Sequence, residues 1–99
     1  MKHFIIEITY KVSFEEIQKI LPVHRLYLDE GYAKGMLLMS GPRNPKTGGI
    51  LVARANDINE IKDFFAKDPY HTENVAEHRF IEFTPVKHQE IIKSWIENN

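Results

Sequence analysis

The chain has 99 residues, no cysteine, and 13 basic against 14 acidic side chains, for a net charge of −1. That length suits one domain with one modest core, and 42% hydrophobic with 27% charged residues marks a globular chain. The missing cysteines exclude a disulfide framework, a thiolate nucleophile and a thiolate metal site, while the balanced charge lacks the basic footprint of a nucleic-acid binder.

At the N-terminus the apolar run Phe4-Ile5-Ile6 stops at Glu7, far short of a signal-peptide core. No stretch of eighteen apolar residues follows, so neither a membrane span nor a membrane partner is expected, and the cytoplasm is the default location. His3 to Tyr10 alternates, with Phe4, Ile6, Ile8 and Tyr10 on one face, which predicts a strand. Ser13 with Glu16 three residues on is a capping-box helix start. Phe14, Ile17, Leu21, His24 and Leu28 then draw one stripe along a helix to about Glu30, with Pro22 expected to kink or restart it and Gly31 to stop it.

Residues 34–40 read as a second strand, apolar on both faces, and a loop rich in glycine and proline runs from Gly41 to Gly49. A third strand spans Ile50 to Ala55. Asp57 and Glu60 open a second helix whose apolar face is Ile58, Ile61, Phe64 and Phe65, to about Lys67. Asp68-Pro69 breaks it. His78 to Thr84 predicts a fourth strand, closed by Pro85, and residues 86–97 a last amphipathic helix with Ile91, Ile92, Trp95 and Ile96 inside.

The order β-α-β-β-α-β plus a terminal helix predicts one α+β domain over 1–99, of the ferredoxin-like pattern. It has a four-stranded antiparallel sheet whose first and third strands are central, with residues 86–97 as an extension. If both helices cover one face, the apolar residues of the other face need a cover as well. A second copy of the chain, in a homodimer or higher oligomer through the sheet face, is expected to supply it, ahead of the C-terminal helix.

His24 does not fit its apolar neighbours Leu21 and Leu28, since a buried imidazole must find hydrogen-bond partners. Asp68 continues the inward stripe Ile58, Ile61, Phe65 of the second helix. With both helices on one sheet face the two can pair, and such a pair is a general base with its orienting carboxylate. The same residues admit a plainer reading, in which His24 is structural and Asp68 caps the turn that Pro69 opens.

Other residues carry less. Ser40, at a strand end before Gly41-Pro42, is turn chemistry or a hydrogen-bond donor into a pocket. Arg43, in the loop, is solvated or closes over an anion, and Tyr70 lines the cleft or staples a turn. The glycines lack phosphate-loop spacing, and His71, Glu73 and His78 match no metal-ligand spacing, so no metal is expected unless His71 joins the pair in a His-Asp-His site.

Helix-borne His24, the strand end Ser40-Gly41-Pro42, the turn Gly48-Gly49 and the triplet Asp68-Pro69-Tyr70 stand in the order and spacing of the YciI-like (YCII-related) family. The chain resembles that family from Phe4 to about Pro85. The resemblance implies a ferredoxin-like domain that dimerises through its sheet into a barrel-like assembly. It also implies an active site built on a histidine–aspartate dyad, here His24 and Asp68. Ser40, Gly41, Arg43 and Tyr70 are then the candidate substrate-binding residues. Members have been linked to elimination of halide from a chlorinated aromatic, and the related muconolactone-type isomerases move protons without a cofactor. The implied function is a cofactor-independent lyase or isomerase of a small organic molecule. A metabolite-binding domain with a structural His–Asp pair is the alternative. One departure is plain: where the family often has arginine one turn before the histidine, this chain has Leu21, so Arg25 or Arg43 would have to substitute.

Overall fold

The computed structural model describes residues 1–97. Four antiparallel strands form one sheet in the order β2-β3-β1-β4. In this sheet β1 (Lys2–Tyr10) and β3 (Gly48–Ala55) are central, and β2 (Leu37–Pro42) and β4 (Ala76–Phe83) are the edges. The strand alternation read from the sequence sets the register: Ile6 of β1 stands opposite Leu51 of β3 and Phe80 of β4. Phe4, Ile6, Ile8, Leu51, Ala53 and Ala55 therefore share one face. They are buried beneath Ile17 and Leu28 of α1 (Phe14–Ala33) and Ile61, Phe64 and Phe65 of α2 (Ile58–Ala66). Both helices start where their caps predict, the Ser13 and Asp57 side chains accepting from the N–H groups of Glu16 and Glu60. Among the described residues no helix is long and apolar enough to cross a membrane.

Two expectations for α1 are corrected. Pro22 does not restart the helix, which runs through it; buried Ile17 and Leu28 on either side hold both halves against the sheet. Nor does Gly31 stop it. A Cβ at Gly31 would lie 2.8 Å from side-chain atoms of Leu37 and Phe64, so glycine there lets helix and sheet approach closely. The helix ends at Ala33, and Gly35 takes the left-handed conformation (φ +73°) while Met36 N–H closes back onto Gly31 O at 2.9 Å.

A third correction concerns the C-terminal segment. Instead of one helix over 86–97, a 3₁₀ turn (Glu90–Ile92) leads into a single α-helical turn, α4 (Lys93–Ile96). Gln89, at the cap position, makes no side-chain cap bond, so nothing offsets the cost of nucleating a longer helix. Ile91, expected inside, is 90% exposed. Trp95 does anchor the segment: its Nε1–H donates to Gly35 O (3.0 Å), and its ring meets His3 (5.5 Å) and the Arg54 guanidinium (5.1 Å). The segment thus caps one end of the sheet face opposite the helices. Met39, Ile50, Ile81 and Phe83 stay at least one-third exposed.

Candidate active site

Where α2 ends, Asp68 opens the short helix α3 (Pro69–Thr72), with Pro69 in the first turn where its missing N–H costs nothing. Asp68 Oδ1 accepts the Tyr70 N–H at 3.0 Å, the capping role that the sequence offered as the plainer reading. The same oxygen lies 2.7 Å from Nδ1 of His24, reached across from α1, so the capping and pairing readings hold together. Asp68 is fully buried, and its second oxygen, Oδ2, lies 3.4 Å from Nε2 of His78 on β4. One carboxylate thus sits between two imidazoles.

Burial alone would push the Asp68 carboxyl up. The hydrogen bonds from His24, then His78 and the Tyr70 N–H, outweigh it and hold the group below the usual carboxylate range. An ionised carboxylate can only accept, so Nδ1 of His24 carries the hydrogen, and in the neutral imidazole Nε2 is left with its lone pair. The Tyr70 ring stacks flat on the His24 ring, 3.7 Å between centroids and 3° between planes, which fixes the imidazole's orientation. Burial, with Tyr10 beside it, pushes the Tyr70 hydroxyl well above the ordinary tyrosine range, so it stays a neutral phenol.

His24 and Tyr70 line a cleft of about 290 Å³ between α1 and the ends of β2 and β3. Its walls are apolar at Phe14, Leu21, Leu28 and Leu51, and polar at Gln18, Arg25, Ser40 and Lys46. Among the described residues no acidic side chain lines it. Lys46 is held at the rim with its Nζ 5.0 Å from the centre of the Phe14 ring. The Ser40 hydroxyl pairs with the Tyr32 hydroxyl at 2.6 Å. A cationic cleft with apolar walls and one imidazole lone pair can bind a small anion or polarised ring compound and take a proton from it.

Of the residues singled out from the sequence, His24, Ser40, Gly41 and Tyr70 line one cleft, with Asp68 behind His24. Arg43 does not join them; its main chain is tied into the strand end by a bond from its N–H to Gly48 O at 2.8 Å. Of the two arginines offered in place of the one missing at Leu21, Arg25 lines the cleft. Leu21 itself is part of the wall.

A model of the YCII-related domain matches residues 1–84. The chain belongs to the YCII-related domain family. No curated protein sequence matches it. Among solved structures it is similar to the 5-chloro-2-hydroxyhydroquinone dehydrochlorinase TftG of Burkholderia phenoliruptrix AC1100, in complex with 2,5-dihydroxybenzoquinone. The TM-score is 0.68 at 19% identity, over 90% of this chain and 97% of that one. At that identity the likeness is one of fold.

In this YCII-related domain the sequence reading missed His78. It had offered His71 as the second histidine, but His71 is exposed on α3, its ring 6.3 Å from that of His78. The signal was there: in β4, His78 and Phe80 alternate inward, and His78 stands opposite buried Ile8 of β1. Among the described residues no group of histidine, aspartate and glutamate is arranged to hold a metal ion.

Proposed function

We propose that the protein is a small-molecule lyase or isomerase in which His24 is the general base and Asp68 its orienting partner. The observation that carries this reading is the 2.7 Å pair of His24 Nδ1 with a buried, ionised Asp68, at the back of a cleft that no acidic side chain among the described residues lines. Nε2 removes a proton from a carbon or hydroxyl of the bound ring, and Asp68 stabilises the imidazolium that forms. In an elimination the freed electron pair runs through the conjugated system, and a leaving group departs with its bonding pair. In an isomerisation Nε2 returns the proton at another atom. Ser40 and Tyr70 orient the ring, and Arg25 with Lys46 favours substrates carrying negative charge. That TftG is a dehydrochlorinase bound to a dihydroxyquinone makes chlorinated and hydroxylated quinols the first substrates to try.

The test has two arms. Titration with 2,5-dihydroxybenzoquinone, followed by amide NMR, should perturb the signals of His24, Ser40 and Tyr70. Incubation with 5-chloro-2-hydroxyhydroquinone, or a related chlorinated quinol, should release chloride faster than buffer alone. Binding without turnover of any of these would favour the metabolite-binding alternative. Shifts confined to other parts of the chain would overturn the site.

We further infer that two copies pair through the open sheet face. Met39, Ile50, Ile81 and Phe83 would otherwise remain exposed together, an unfavourable arrangement for a small core. Light scattering at micromolar concentration should give twice the 11.6 kDa chain mass. A monodisperse monomer would sink this part of the proposal.

A further inference from the structure

The geometry points to His78 as a positioning residue that holds Asp68 as an acceptor and so decides which nitrogen of His24 carries the hydrogen. The division of labour at the carboxylate is the reason. Oδ1 receives two donors, His24 Nδ1–H and the Tyr70 N–H, whereas Oδ2 has His78 Nε2–H as its side-chain partner. The His78 side chain is 4% exposed and packs against Phe65 at 5.3 Å, so water does not readily replace it. His78 lies outside the lining of the His24 cleft, and borders a separate one with Lys11, Lys62 and His71. It therefore acts through Asp68 and does not touch the substrate.

Without a donor on Oδ2, a carboxylate in a fully buried position has reason to take up a proton. A protonated Asp68 can present its hydrogen from Oδ1 as well as from the vacated Oδ2, and from Oδ1 it donates toward Nδ1 of His24. The imidazole must then carry its own hydrogen on Nε2, which turns the base into a donor facing the cleft. The titratable groups that bear on Asp68 are His24 and Tyr27 from α1, Tyr70 from α3 and His78 from β4. Of these, Tyr27 is committed elsewhere, donating its hydroxyl hydrogen to Phe64 O, and Tyr70 stays neutral. The Nδ1 of His78 is buried and unpartnered, so the hydrogen of a neutral His78 belongs on Nε2, toward Asp68.

This inference rests on the reading of His24 as the base, but its test needs no turnover. His78→Phe keeps a ring of similar size and removes the donor; His78→Gln keeps an amide donor. Carboxyl ¹³C titration of Asp68 should move to higher pH in the Phe variant and stay near the parent's position in the Gln variant. Imidazole ¹⁵N spectra should show the Nε2–H form of His24 growing several-fold in the Phe variant as pH falls. An Asp68 titration unmoved by His78→Phe overturns the inference. If the Phe variant does not fold, the parent protein decides: neutral His78 should show the Nε2–H tautomer, and the Nδ1–H tautomer would overturn it. A failed ligand titration at His24 counts against the base itself and leaves these spectra unchanged, so the two failures are separable.

Discussion

Replacing Asp68 by alanine should lower stability by about 3–5 kcal/mol, since three buried donors lose a shared acceptor at a cost of about 1–3 kcal/mol each. The substitution leaves the Tyr70 N–H, His24 Nδ1–H and His78 Nε2–H without their common acceptor, in a place that is fully buried. It also removes the cap of α3. Set against a total of about 5–15 kcal/mol for a domain, this is a large fraction. At about 4–8 °C per kcal/mol for a chain of this size, the melting temperature should fall by at least 12 °C or so. The pH dependence has a definite sign. The folded-state carboxyl is held below its ordinary value of 3.8, so its contribution is complete above that value and is lost as pH falls from there through the lower folded value. The gap between parent and variant should therefore be constant at neutral pH and narrow in acid. Thermal denaturation followed by circular dichroism at several pH values measures both. A fall of under about 3 °C at neutral pH would show that the three donors find other partners.

The stripe Ile58, Ile61, Phe65, Asp68 predicted this burial, and the stripe through Leu21, His24 and Leu28 predicted its partner. Both worked because helical period and sheet topology are local rules that compose: two inward stripes on one face of one sheet must meet. His78 escaped because it opens the strand as read from the sequence, whereas β4 begins two residues earlier at Ala76. A residue taken for a strand end has no flanking strand residue to fix its face, while two residues into the strand it pairs with Ile8 and points inward. Gly31 escaped for another reason. A glycine near the expected end of a helix signals either a stop or a close contact, and only the positions of Leu37 and Phe64 separate the two. The C-terminal segment shows the limit of periodicity. Ile91, Ile92, Trp95 and Ile96 have helical spacing, but spacing does not supply a cap, and the chain orders mainly where Trp95 finds Gly35 and Arg54.

His24→Gln separates catalysis from stability more sharply than alanine would. A glutamine amide can donate to Asp68 Oδ1 in place of Nδ1–H, so the carboxylate keeps a partner and the fold should survive. The amide cannot accept a proton. If His24 is the base, turnover of a quinol substrate should fall by about 10²–10⁴-fold, the usual share of general base catalysis. Binding of 2,5-dihydroxybenzoquinone should change far less, because Arg25, Lys46, Ser40 and Tyr70 are untouched. A loss in kcat with KM nearly constant is the signature of a group that acts in the transition state. A rise in KM alone would instead make His24 a wall of the cleft, with its stack on Tyr70 as its contribution. The same variant also tests the orienting role of Asp68. Once the imidazole is gone there is no tautomer left to set, so adding Asp68→Asn to His24→Gln should cost little further activity, whereas Asp68→Asn alone should cost a great deal. Full additivity of the two losses would mean that Asp68 acts on the substrate by a route that does not pass through His24.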